Sequence, residues 1–126
     1  MTTIPEQWAE RANYDLDTAR AMLKSERYIY VLFCCQQAVE KMLKAVIASM
    51  GETPPRLHNL IRLVEHAKLE TEKDRLSYLG VLSSYYIQTR YPEDTEKLST
   101  RTSAALAQET LDRTEEIVKW LSSLIR

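Results

Sequence analysis

The 126 residues are 44% hydrophobic and 28% charged, the balance of a soluble globular chain with room for one domain. Two glycines and four prolines are too few for the turns of an all-β sandwich or barrel, and Gly51 and Gly80 cannot build a phosphate-cradling glycine loop. Seventeen Lys and Arg against 18 Asp and Glu leave a net charge of −1 and a pI near 6.1, so no global field draws the chain to DNA, RNA or an anionic membrane.

The first helix opens at Thr3-Ile4-Pro5-Glu6, where Thr3 can cap, Glu6 can reach back and Pro5 is tolerated in the first turn. Its apolar side runs through Trp8, Ala12, Leu16, Ala19 and Leu23, and Ser25-Glu26-Arg27 breaks it. The second helix carries Tyr28, Leu32, Cys35, Val39, Met42, Val46 and Met50, widened by Phe33, Leu43 and Ile47, which predicts burial on more than one side. Gly51 and Pro54-Pro55 end it, so about 23 residues make a rod of roughly 34 Å. A short third helix is expected over His58 to Lys68. A fourth follows a Thr71/Asp74 capping box, turns Leu76, Leu79, Leu82, Tyr85 and Tyr86 inward, and stops near Arg90 because Pro92 disfavours helix at Tyr91. The polar, acidic stretch Pro92 to Thr100 reads as a loop. A last helix runs from about Ser103 to Ile125 on Ala107, Leu111, Thr114, Val118, Leu121 and Ile125, with Trp120 beside the stripe. The expected fold is all-α: an up-and-down bundle of four long helices plus one short helix, a single domain over residues 1–126.

Cys34 and Cys35 are adjacent, a spacing that strains a disulfide, and they lie in an apolar pattern; they read as reduced core thiols in a cytoplasmic protein. With only His58 and His66 as further soft ligands, no metal site and no cofactor are expected. Met1 to Arg11 lacks the pattern of a secretory leader, and no run approaches the ~18 apolar residues of a membrane span.

Three polar groups could carry chemistry. On the second helix, Gln37, Lys41 and Lys44 share one face and Gln36, Glu40 and Lys44 an adjacent one: a solvated strip, a polar groove or a dimer seam. At the end of the fourth helix, Tyr85, Tyr86, Arg90 and Tyr91 cluster; an Arg beside rings can hold a phosphate and stack a base, or simply face the helix dipole. Arg62 and His66, four apart on the third helix, could pair a phosphate anchor with a proton carrier or lie idle on the surface. His58, at a helix entry, reads as a cap or turn hydrogen-bonder.

The order of these features resembles a known family: Trp8, Ala12 and Asp15-Leu16; Phe33 and Gln36-Gln37-Ala38-Val39-Glu40-Lys41 with Leu43-Lys44-Ala45; Pro54-Pro55 and His58-Asn59-Leu60; then Tyr85-Tyr86 and Thr89-Arg90-Tyr91-Pro92. From Trp8 to Trp120 the chain is similar to the HEPN domain, the nucleotide-binding domain of higher eukaryotes and prokaryotes. The resemblance implies a helical bundle that forms homodimers and is often encoded beside a minimal nucleotidyltransferase, many such pairs being toxin–antitoxin modules. Ribonuclease members cut RNA without a metal, using an Arg and a His with four to six residues between them, the Arg holding the scissile phosphate and the His moving protons.

This chain departs from that motif. Arg90 is followed by Tyr91, Pro92, Glu93, Asp94, Thr95, Glu96 and Lys97, with no His in reach, and the acidic run should repel an RNA backbone. Arg62 and His66 are one residue too close and lie on the third helix. The resemblance therefore points to a non-catalytic binding module, homodimeric, paired with a minimal nucleotidyltransferase, and binding a nucleotide through Glu40, Lys41, Lys44, Tyr86, Arg90 and Tyr91. The alternative is a metal-independent ribonuclease toxin with a non-standard site, using Arg90 and a His from elsewhere, such as His58.

Overall fold

The computed structural model describes residues 2–125, and among them it forms six helices and no strand. They are α1 (Ile4–Lys24), α2 (Tyr28–Ser49), α3 (Leu60–His66), α4 (Lys73–Gln88), α5 (Pro92–Arg101) and α6 (Ala104–Ser122). None is long and apolar enough to cross a membrane.

α2 touches each of the other five helices and is buried over most of its surface, although Tyr30 near its start is 56% exposed. Its 22 residues give a rod of about 33 Å at 1.5 Å per residue. Leu32, Cys35, Ala38, Val39, Leu43, Ala45 and Ile47 are fully buried along it. The rod ends where Gly51 takes φ +84°, a left-handed conformation that L side chains rarely adopt. Burial pushes the Cys34 thiol up to about 11 and the Cys35 thiol to about 12, so both stay protonated and are free in the core.

α1 starts as its sequence implies: Thr3 Oγ1 accepts from the Glu6 amide at 3.3 Å, and Pro5 sits in the first turn. α3 is shorter than its apolar pattern, because Asn59 caps it, with Oδ1 accepting from Ile61 N and Arg62 N at 3.0 and 3.2 Å. At its other end Lys68 turns the chain at φ +55°. α4 lacks the expected capping box. Glu72 is its N-cap without a side-chain bond, and Thr71 instead accepts from Arg75 Nη1. Leu79, Leu82 and Tyr85 point inward as expected, whereas Leu76 is 37% exposed and Tyr86 half-buried. Ser103 caps α6, accepting from Leu106 N at 3.1 Å.

Residues 92–101 are helical where a loop was expected. The acidic run that suggested a loop is a helix start: Pro92 lies in the first turn, Glu93 and Asp94 face the positive end of the dipole, and Arg101 the negative end. Thr95 Oγ1 ties the first turn to the carbonyls of Gln88 and Tyr91 at 3.0 and 2.9 Å. One apolar side chain, Leu98, anchors α5 in the core.

With a single anchor, α5 should open at lower free energy than α2. Amide hydrogen exchange is expected to be faster over residues 92–101 than over α2. Leu98→Ala should accelerate exchange in α5 while α2 keeps its protection; equal acceleration in both helices would show that α5 is part of one cooperative unit.

Candidate functional site

One side of the polar strip of α2, Gln36, Glu40 and Lys44, faces the protein interior, while Gln37 and Lys41 are only partly buried. Gln36, Glu40 and Lys44, one helical turn apart, are 0%, 4% and 6% exposed. A carboxylate so buried must be neutralised and hydrogen-bonded or it costs several kcal/mol. Glu40 finds four contacts. Lys44 Nζ donates to Oε2 at 3.2 Å, Gln36 Nε2 donates to Oε1 at 3.3 Å, and His58 Nδ1 lies 3.1 and 3.2 Å from the two oxygens. Gln36 Nε2 also donates to the His58 carbonyl at 3.0 Å, and Gln37 Nε2 to Gln36 Oε1 at 2.8 Å. Lys44 lies 5.5 Å from the centre of the Trp8 ring of α1, a cation–π contact.

An ionised carboxylate only accepts, so His58 presents Nδ1–H to Glu40 and its Nε2 remains for other partners. The His58 side chain is 48% exposed. Its ring stacks on Tyr86 of α4, centroids 4.2 Å apart and planes inclined by 12°. The Arg90 guanidinium lies 4.7 Å from the same Tyr86 ring and donates to the Tyr86 hydroxyl. Arg90 is exposed and has no ion-pair partner among the described residues. A continuous series of contacts thus runs from Lys44 in the core through Glu40, His58 and Tyr86 to Arg90 at the surface.

The six residues singled out from the sequence divide. Glu40, Lys44, Tyr86 and Arg90 join in this series, although Lys44 is bound to Glu40 and too buried to meet a ligand. Lys41 lies elsewhere, its Nζ 2.5 Å from Asp15 Oδ2 of α1. Tyr91 is 57% exposed and caps α5 with extended backbone, and its side chain makes no hydrogen bond among the described residues. Arg62 and His66 are both exposed on α3, with no bond between them among the described residues. The residue that sequence reasoning placed only at the margin is His58, which lies 18 positions from Glu40 beyond the Pro54-Pro55 turn. Its signals were its place in the His58-Asn59-Leu60 segment of the family resemblance and the proline-directed return after a long helix.

Chemically, the outer end of the series offers a planar ring stack, a guanidinium with free donors and an imidazole oriented by a buried carboxylate. Such a set can stack a base, bind a phosphate and hold or pass a proton. No group of three or more His, Cys, Asp or Glu side chains among the described residues is placed to hold a metal ion.

The HEPN domain family model matches residues 5–124. Among solved structures, the chain is similar to TT1696 from Thermus thermophilus, with a TM-score of 0.82 and 26% identity over 95% of this chain and 97% of that one. It shares the fold of ST0689, an archaeal HEPN homologue, with a TM-score of 0.78 and 23% identity over 99% of this chain and 100% of that one. No curated protein sequence matches it.

Removing one member of the buried ion pair strands the other. Glu40→Leu should destabilise the fold by about 3–5 kcal/mol, because Lys44 is left charged and buried. The double change Glu40→Leu with Lys44→Met should recover much of that loss. Urea denaturation of both variants measures the difference, and equal losses in the single and double variants would show that the pair is not coupled.

Proposed function

The chain belongs to the HEPN domain family, and from that membership we propose that it is a non-catalytic binding module that holds a nucleoside phosphate at the exposed end of the His58–Tyr86–Arg90 stack. The observation that supports this most is Arg90: a guanidinium seated on an aromatic ring, exposed, with no acidic partner among the described residues. The contact with the Tyr86 ring and the bond to its hydroxyl restrict the guanidinium and leave its other donors for a phosphate. Tyr86 is covered by His58 on one face and carries Arg90, so the outer face of the half-exposed His58 ring is the one on which a base can stack. Glu40 and Lys44 act behind the surface, holding His58 in place, and Lys41 and Tyr91 stand outside the ligand's first contacts. On this reading the chain is one cytoplasmic HEPN-like domain. It works as a homodimer with a minimal nucleotidyltransferase as partner, in a toxin–antitoxin-like pair, an assignment that rests on the family.

Isothermal titration with ATP, GTP and UTP tests the ligand. Heat is expected with the wild-type protein, and Arg90→Ala should weaken binding at least tenfold; absence of heat with all three would overturn the reading.

A second reading, metal-independent RNA cleavage, is favoured by one observation: folding brings a carboxylate-oriented imidazole and Arg90 to the same tyrosine ring. Purified protein incubated with RNA in EDTA decides between the two. The binding-module reading expects no cleavage. Cleavage lost on both Arg90→Ala and His58→Ala would establish the ribonuclease reading instead.

A further inference from the structure

We propose that the groove between α3 and α4 is the seat of the base of this nucleoside phosphate; the proposal rests on the reading of Arg90 as the phosphate ligand. The groove is open to solvent and offers about 420 Å³, within the range of small-molecule sites. Ile61, Gly80 and Ile87 line it with apolar surface, Tyr86 and His58 line it too, and Arg90 lies against the Tyr86 ring. No Asp, Glu, Lys or Arg side chain lines it, and α4 carries none from Leu76 to Gln88. A mainly apolar groove without acidic or basic aliphatic side chains, close to a guanidinium without an ion-pair partner among the described residues, fits a molecule that is planar and neutral at one end and anionic at the other.

The rim supplies hydrogen-bonding groups for a base edge. Ser83 Oγ accepts from the Leu60 amide at 2.9 Å, and its own hydrogen has no acceptor among the described residues. Ser84 Oγ donates to the Val81 carbonyl at 2.6 Å and keeps its lone pairs. Asn59 spends its oxygen on capping α3, which leaves its amide hydrogens for a ligand.

Gly80 is the independent sign that this space is kept open. It lies inside α4, where glycine disfavours helix by about 1 kcal/mol relative to Ala. Neither backbone nor packing requires it there: its φ is not left-handed, and a Cβ would meet no atom within 4 Å. What a side chain would do at this position is fill the groove.

The test uses calorimetric titration of ATP and of inorganic tripolyphosphate into the wild-type protein, Gly80→Leu and Arg90→Gln, with thermal melts confirming that each variant folds. Gly80→Leu should weaken ATP at least tenfold and leave tripolyphosphate unchanged, while Arg90→Gln should weaken both. ATP binding unchanged in a folded Gly80→Leu protein would place the base elsewhere and overturn this inference, with the phosphate reading intact. Failure of the wild-type protein to bind either probe would overturn the phosphate reading and the base seat with it.

Discussion

The buried carboxylate of Glu40 is the constraint on which the site is built. It sits on the one helix that every other helix touches, at 4% exposure, where water cannot solvate it. A charge there is tolerable only with a counterion and donors, and each partner comes from a place whose position is thereby fixed. Lys44 and Gln36 are its neighbours on α2. His58 comes from the segment between α2 and α3, and Gln36 holds that segment a second time through the His58 carbonyl. The return of the chain after Gly51 is thus pinned to the middle of α2 by polar contacts. Because His58 is pinned, the ring it stacks on, and the guanidinium on that ring, form a surface of defined geometry.

Stability alone does not account for such a network. Buried ion pairs are commonly no more stabilising than apolar residues of the same size, since desolvation offsets the attraction. An apolar trio at positions 36, 40 and 44 would fill the same volume. It would not fix the ring plane and tautomer of a histidine half exposed to solvent. The polar core therefore makes better sense as a positioning device, converting the rigidity of α2 into the orientation of an imidazole and, one contact further, of Arg90.

The long helices were legible because each has a stripe at helical spacing and a punctuating residue. Thr3, Gly51, Pro92 and Ser103 all act at the boundaries their chemistry implies. α5 was not legible, since a stripe of one residue, Leu98, carries no period, and the acidic first turn that stabilises it is also what a solvated loop contains. The burial of Gln36, Glu40 and Lys44 was hidden for a different reason. Residues of these types at helical spacing normally mark a solvent face, and whether a face is wet depends on how many neighbours the helix has. Half of the site was visible as composition, in Tyr86 and Arg90 one turn apart. The other half, His58 on Glu40, joins residues 18 positions apart and exists only through the tertiary fold.

Electrostatics around Arg90 bear on the size of ligand the surface suits. Glu93 and Asp94 lie in the first turn of α5, three and four residues after it, and Glu96 follows. A long polyanion lying across Arg90 would run its next phosphates past these carboxylates and meet repulsion with little to offset it, because the chain as a whole carries a net charge of −1. A mononucleotide avoids that contact. On the proposed reading its base lies in the groove between α3 and α4, its phosphates reach Arg90, and the acidic turn beyond acts as a boundary. On that reading the same carboxylates that stabilise the start of α5 favour a small ligand over a polymer, so one local sequence feature would set both a helix terminus and a limit on what the site accepts.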